Sequence, residues 1–139
     1  MKTNKVFQRV KSVAGIVCYV KDITKTAEFY ESLGFQFTKR EPNHVAVRLN
    51  WFWISFLPIN KEEKPEFQKE AHLNNKGAGL YLYINVENVD DFYESLISKG
   101  LKPSSQPRDW PWGNREFVIR DPDGYKIVFF KKNLRVKNS

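Results

Sequence analysis

A chain of 139 residues is long enough for one domain with its own core, and its 41% apolar and 15% aromatic content excludes a disordered segment. The formal net charge is +7, but the ends carry it: Lys2, Lys5, Arg9 and Lys11 precede the first apolar run, and Lys131, Lys132, Arg135 and Lys137 follow the last. Without these residues the cations and the 16 acids nearly balance, which argues against a nucleic-acid binder, whose cations line a folded face to meet phosphates.

In chain order, residues 1–12 read as a basic tail. Val13 to Val20 is β-branched and free of charge, as expected of a buried strand. Asp22 is placed to cap a helix over Ile23 to Leu33, with Ile23, Ala27 and Tyr30 at helical spacing and Gly34 as its stop. Phe35 to Lys39 and Val45 to Leu49 alternate as strands on either side of the turn residues Glu41, Pro42 and Asn43, and Trp51 to Leu57 is a further strand closed by Pro58. Lys61 to His72 is charged, and helix and loop both remain open for it.

The order then repeats. Leu80 to Val86 is a strand, Val89 to Lys99 a helix started near Asn88 or Asp90 and stopped by Gly100, and Leu101 to Ser105 a candidate short strand. Arg108 to Asn114 is a Pro/Gly loop. Arg115 to Arg120 and Lys126 to Phe130 are strands joined by Asp121-Pro122-Asp123-Gly124, a type I turn signature. The pentapeptide Phe-Tyr-Glu-Ser-Leu occurs in both helices, at 29–33 and 92–96. Self-similarity of this kind implies two copies of one β-α-β-β-β unit.

The stretches Tyr19-Val20-Lys21-Asp22, Phe29-Tyr30, Leu33-Gly34-Phe35, Trp112-Gly113-Asn114-Arg115-Glu116-Phe117 and Asp121-Pro122-Asp123-Gly124 resemble the vicinal-oxygen-chelate superfamily of glyoxalases, bleomycin-resistance proteins and extradiol dioxygenases. The last two are most similar to the bleomycin-resistance branch. The resemblance implies an α+β fold in which two units curl mixed sheets around a cup. It spans a single domain over 13–131, with a first unit over about 13–58, a linker over 59–77, a second unit over 78–131 and a basic tail over 132–139.

Strand parity assigns side chains to the two faces. Leu80, Leu82, Ile84, Ile127 and Phe129 suit the side under the helices. Gly79, Tyr81, Tyr83, Lys126, Val128 and Phe130 take the cup, as do Trp51, Trp53 and Ser55. The resemblance implies metal-ligand positions at Gly15, Gly79 and Val128, none of which carries a donor side chain, and Trp51 to Leu57 offers no His, Asp, Glu or Gln. No metal and no cofactor are therefore expected. His44, beside a turn, and His72, in the linker, read as solvent-facing, and no His is placed in a strand. Cys18 reads as a small core residue, Asp121 and Asp123 as turn residues, and Arg115 with Glu116 as a strand-borne ion pair.

What remains is an aromatic cup, expected to bind a small, aromatic or antibiotic-like molecule through Trp51, Trp53, Tyr81, Tyr83, Trp110 and Trp112, with Arg48 and Arg115 as polar anchors. No residue is expected to be catalytic. A lyase or dioxygenase with an atypical site and a protein-interaction module remain as alternatives. Homodimers are common where this resemblance holds, because two chains shape the grooves together. The lone cysteine, the absence of an apolar run in the first residues and the absence of a long apolar stretch make a cytoplasmic setting, off the membrane, the expectation.

Overall fold

The computed structural model describes residues 9–61 and 64–133. Parts of both basic ends, residues 1–8 and 134–139, lie outside the described residues. The first unit is β1 (Gly15–Val20), α1 (Ile23–Ser32), β2 (Gln36–Glu41), β3 (His44–Leu49) and β4 (Phe52–Pro58). The second is β5 (Tyr81–Asn85), α3 (Val89–Ser98), β6 (Arg108–Asp109), β7 (Asn114–Arg120) and β8 (Lys126–Lys132). Between them lie two 3-10 turns, Ile59–Lys61 and Pro65–Phe67, and the short α2 (Gln68–Ala71), so the segment whose structure the sequence left open is largely helical turns.

Each unit makes one four-stranded mixed sheet, in the orders β1-β4-β3-β2 and β5-β8-β7-β6. The outer pairs β1 with β4 and β5 with β8 are parallel, and the rest are antiparallel. The helix signals act as read. Asp22 accepts hydrogen bonds from the Thr24 and Lys25 backbone N–H groups, and Asn88, not Asp90, caps α3 by accepting from Asp91. Gly34 and Gly100 end the helices at φ +89° and +85°, a region other residues enter at a cost.

Two strand assignments change. Residues 101–105 are not a strand. The backbone N–H of Ser104 donates to Val118 and Val118 donates to Ser105 Oγ, so this stretch runs beside β7 as a strap. The fourth strand of the sheet is instead the two-residue β6, inside the expected loop. Trp51 also leaves its strand: Asn50, at φ +56°, and Trp51 form the two-residue turn between β3 and β4.

One core serves both units. Val20, Tyr30, Val47, Ile54 and Phe56 of the first join Leu96, Phe117, Ile119, Ile127 and Phe129 of the second, each no more than 2% exposed. Burying such side chains contributes about 1.5–3 kcal/mol apiece. Since the helix-covered sides of both sheets supply this core, the other two faces are left open. We call these the open faces.

Polar contacts tie the halves together at the Asp121–Gly124 turn, which the Gly124 N–H to Asp121 carbonyl bond of 2.9 Å closes. Tyr30 donates from Oη to Asp121 Oδ2 at 2.8 Å, Lys21 N–H donates to Asp123 Oδ1, and Tyr125 Oη donates to the Tyr19 carbonyl. Asp121 is a turn residue as expected, and it is also 5% exposed, with burial raising its pKa to about 6. Among the described residues no helix is long and apolar enough to cross a membrane.

Candidate functional site

The second unit's open face carries a cleft of about 220 Å³, lined by Tyr81, Tyr83, Ser105, Trp110, Trp112, Glu116, Phe117, Val118 and Val128. Register explains the gathering: Tyr83 lies opposite Val128 and Val128 opposite Val118, so their side chains share one side of the sheet. Trp110 and Trp112 come from the tip of the β6–β7 hairpin. That tip is held by Trp110 N–H donating to the Asn114 carbonyl, by Gly113 donating to Trp110, and by Gly113 itself at φ +92°. The two indoles stack with centroids 4.7 Å apart and planes 11° from parallel. Arg108 lies over Trp110, 3.8 Å from its centroid. One neighbour of Trp110 is thus a ring and the other a cation, while Trp112 is 53% exposed.

Glu116 holds this arrangement from beneath. It is 4% exposed and accepts from Trp112 Nε1 at 2.8 Å, from Asn114 Nδ2 at 2.9 Å and from Tyr83 Oη at 3.3 Å. Burial, and then the neighbouring carboxylate, raise the Tyr83 hydroxyl pKa, so Tyr83 remains a donor. The expected Arg115–Glu116 pair does not exist, because neighbours on a strand point to opposite faces. Arg115 lies on the helix-covered side, bound to Asp90 through Nε at 2.7 Å and to Asp109 at 3.3 Å. Its hydrogen bonds to Asp90 are the main cause that lowers the Asp90 pKa and raises its own. Arg115 is therefore not an anchor in the groove. Glu116, which sequence reasoning passed over as a binding residue, is the buried polar group there; its alternation with Phe117 was the available signal.

The other anticipated residues are dispersed. Trp53 does lie on the open face of the first unit, opposite Arg48 and Gly15. A Cβ built at Gly15 would stand 2.2 Å from Trp53 Cδ2 and 2.4 Å from its carbonyl oxygen, so the indole occupies the space a side chain there would need. Arg48 is exposed on the same face. Trp51, 69% exposed at its hairpin turn, lines a separate cleft with Leu49, Phe52 and β5. Leu80 precedes β5 and is 48% exposed, outside the core expected of it.

His44 departs from expectation. It is the first residue of β3, half-buried, with Nε2 3.0 Å from Ser55 Oγ. It lines a cleft of about 780 Å³ with Val17, Tyr19, Asn43, Leu57, Lys61 and Lys64. That cleft is bigger, but its wall of Lys61 and Lys64 flanks residues 62 and 63, which lie outside the described residues. The tryptophan cleft is built wholly from described residues: strands β5, β7 and β8, the hydrogen-bonded β6–β7 hairpin tip and Ser105 of the strap. His72 is exposed just after α2, as expected.

The residues present do not suit a resident metal ion at the positions the resemblance implies. Gly15 is covered by Trp53, Gly79 offers no donor, and Val128 is 1% exposed beneath the rings. Among the described residues no three His, Cys, Asp or Glu come together to hold an ion. Burial pushes the Cys18 thiol up to about 12, so it stays protonated and weakly nucleophilic.

An α+β chain of two such units, with an aromatic cleft on an open sheet face, defines the class. The chain belongs to the Glyoxalase/Bleomycin resistance protein/Dioxygenase superfamily, whose family model matches residues 12–129. It is 27% identical over 121 residues to a bleomycin resistance protein of Geobacillus stearothermophilus, covering 81% of this chain and 91% of that one. In fold it resembles a glyoxalase/bleomycin resistance protein/dioxygenase from Nocardioides, with a TM-score of 0.79 at 18% identity over 97% of this chain and 92% of that one. It also resembles a virulence protein from Salmonella typhimurium, with a TM-score of 0.70 at 24% identity over 90% of this chain and 99% of that one.

Proposed function

We propose that the chain binds a small planar aromatic molecule in the tryptophan cleft, as a sequestering protein of the bleomycin-resistance kind that needs no metal ion. The stacked Trp110–Trp112 pair carries this reading. Its hairpin is fixed by backbone hydrogen bonds and the Trp112 indole by Glu116, so a flat ligand meets a ring face already in place. Preorganisation of this sort lowers the entropic cost of binding, and an aromatic pair adds about 0.5–1.5 kcal/mol beyond its buried area.

The same arrangement argues against chemistry at this site. The carboxylate of Glu116 is taken up by three donors, and no histidine lines the cleft to act as a base for the Ser105 hydroxyl, which accepts from the Val118 N–H. The reading includes a cytosolic setting and association of two chains, for which the open faces, with Tyr81, Tyr83 and Trp112 about half exposed, supply surface.

Titrating flat aromatic dyes while following tryptophan emission tests it. We expect saturable quenching that Trp112→Ala weakens by about tenfold or more. Quenching that is absent, or equal in the variant, counts against the site. Turnover of a hemithioacetal or catechol that appears with added Ni²⁺, Zn²⁺ or Fe²⁺ would favour the enzyme alternative.

A further inference from the structure

We infer that the tryptophan cleft selects planar aromatic carboxylates over aromatic amines, a specificity that rests on the reading of the cleft as an aromatic-ligand site and adds the sign of the ligand's charge. The protein's charges are sorted by face. The ion pairs seen among the described residues, Arg40 with Glu31 and Arg115 with Asp90 and Asp109, lie on the helix-covered sides, where Arg40 sits opposite Val45 and Arg115 follows the parity of Phe117. The open faces instead carry Lys39, Arg48, Arg108 and Lys126, opposite Ala46, Trp53, Glu116 and Tyr81. Their strand-borne acids are Glu41 and Glu116. Among the described residues none of those four cations forms an ion pair.

At the cleft the sorting becomes specific. A cationic ligand would look for a free ring face or a free carboxylate. Trp110 already carries the Arg108 guanidinium at 3.8 Å, and Tyr81 already carries Lys126 Nζ at 4.2 Å. The protein's own cations thus already occupy a face of two of the rings that line the cleft. Glu116 is buried and saturated by Trp112, Asn114 and Tyr83. An incoming ammonium would meet two positive charges and no available negative one. A carboxylate on a ring bound in the cleft meets the same two charges as attractions, which act across the neighbouring rings and not by direct contact.

Calorimetric titration of the full chain with three naphthalene probes, 2-naphthoate, 2-naphthamide and 2-naphthylmethylammonium, separates charge from ring. We expect naphthoate to bind tightest and the ammonium weakest, about tenfold or more apart at low salt, with the gap shrinking near ~0.5 M NaCl. Arg108→Gln with Lys126→Gln should close the gap, and Arg108→Glu with Lys126→Glu should invert it. Both side chains lie at the surface, and circular dichroism verifies that the variants fold. Equal or tighter binding of the ammonium, or a gap that survives both double substitutions, overturns the selectivity while leaving the ring site standing. Failure of all three probes to bind overturns the ring site itself.

Discussion

The two units share an element order and a pentapeptide, yet they treat equivalent positions differently. Gly15 and Gly79 stand at matching places ahead of or within the first strand of each unit. Gly15 is pressed under Trp53, while a Cβ at Gly79 meets nothing within 4 Å. Tyr30 and Tyr93 likewise match, but Tyr30 is buried and hydrogen-bonded to Asp121, whereas Tyr93 packs edge-on against Phe117 at 5.2 Å. The difference teaches where this duplicated fold is free to vary. The helix-covered faces meet in one core and must agree with each other, while the open faces do not, and each unit has filled its own differently.

Substitution at the paired glycines should break the comparison most sharply. Gly15→Ala forces Trp53 and its backbone aside and should cost about 3 kcal/mol in urea unfolding, whereas Gly79→Ala should fall within about 1 kcal/mol of the unaltered protein. Equal effects would mean that the indole does not rest on Gly15.

The clasp between units gives the next effect. Burial raises Asp121 from 3.8 to about 6, so between these values the folded chain holds a proton that the unfolded chain has released. Stability therefore falls as pH rises through about 4 to 6, by about 2–3 kcal/mol, and levels off above. Asp121→Asn should flatten that slope; parallel pH profiles for the two proteins would contradict the buried clasp. The smallest effect belongs to Arg115. Its exposed pairs with Asp90 and Asp109 should make Arg115→Gln cost about 1 kcal/mol or less, with ring binding unchanged, because it points away from the cleft. Weakened binding would return Arg115 to the groove.

Much of the fold was legible because its signals are local. Asp22, Asn88, Gly34 and Gly100 mark helix ends through contacts within a few residues, and strand alternation separates Tyr83 from Leu82. What escaped depends on distance or on a single residue of register. Asp90 lies 25 residues from Arg115 and Asp121 lies 91 from Tyr30, and no periodicity joins such pairs. Trp51 has the parity of Trp53, but Asn50 at positive φ turns the chain before it. The Glu116 position was readable in principle: Phe117 and Ile119 mark the core side of β7, which puts Arg115 with them and Glu116 on the open face. His44 was misplaced because a strand that opens directly after a Pro-Asn turn shows no boundary in its sequence.

The indole N–H resonances of the four tryptophans offer the most direct test, since each reports its own site. With a chelator present throughout, adding a flat aromatic carboxylate should shift the Trp110 and Trp112 signals saturably and leave Trp51 still. Shifts confined to Trp51, or none until a divalent metal is supplied, would contradict a metal-free ring site at the β6–β7 hairpin.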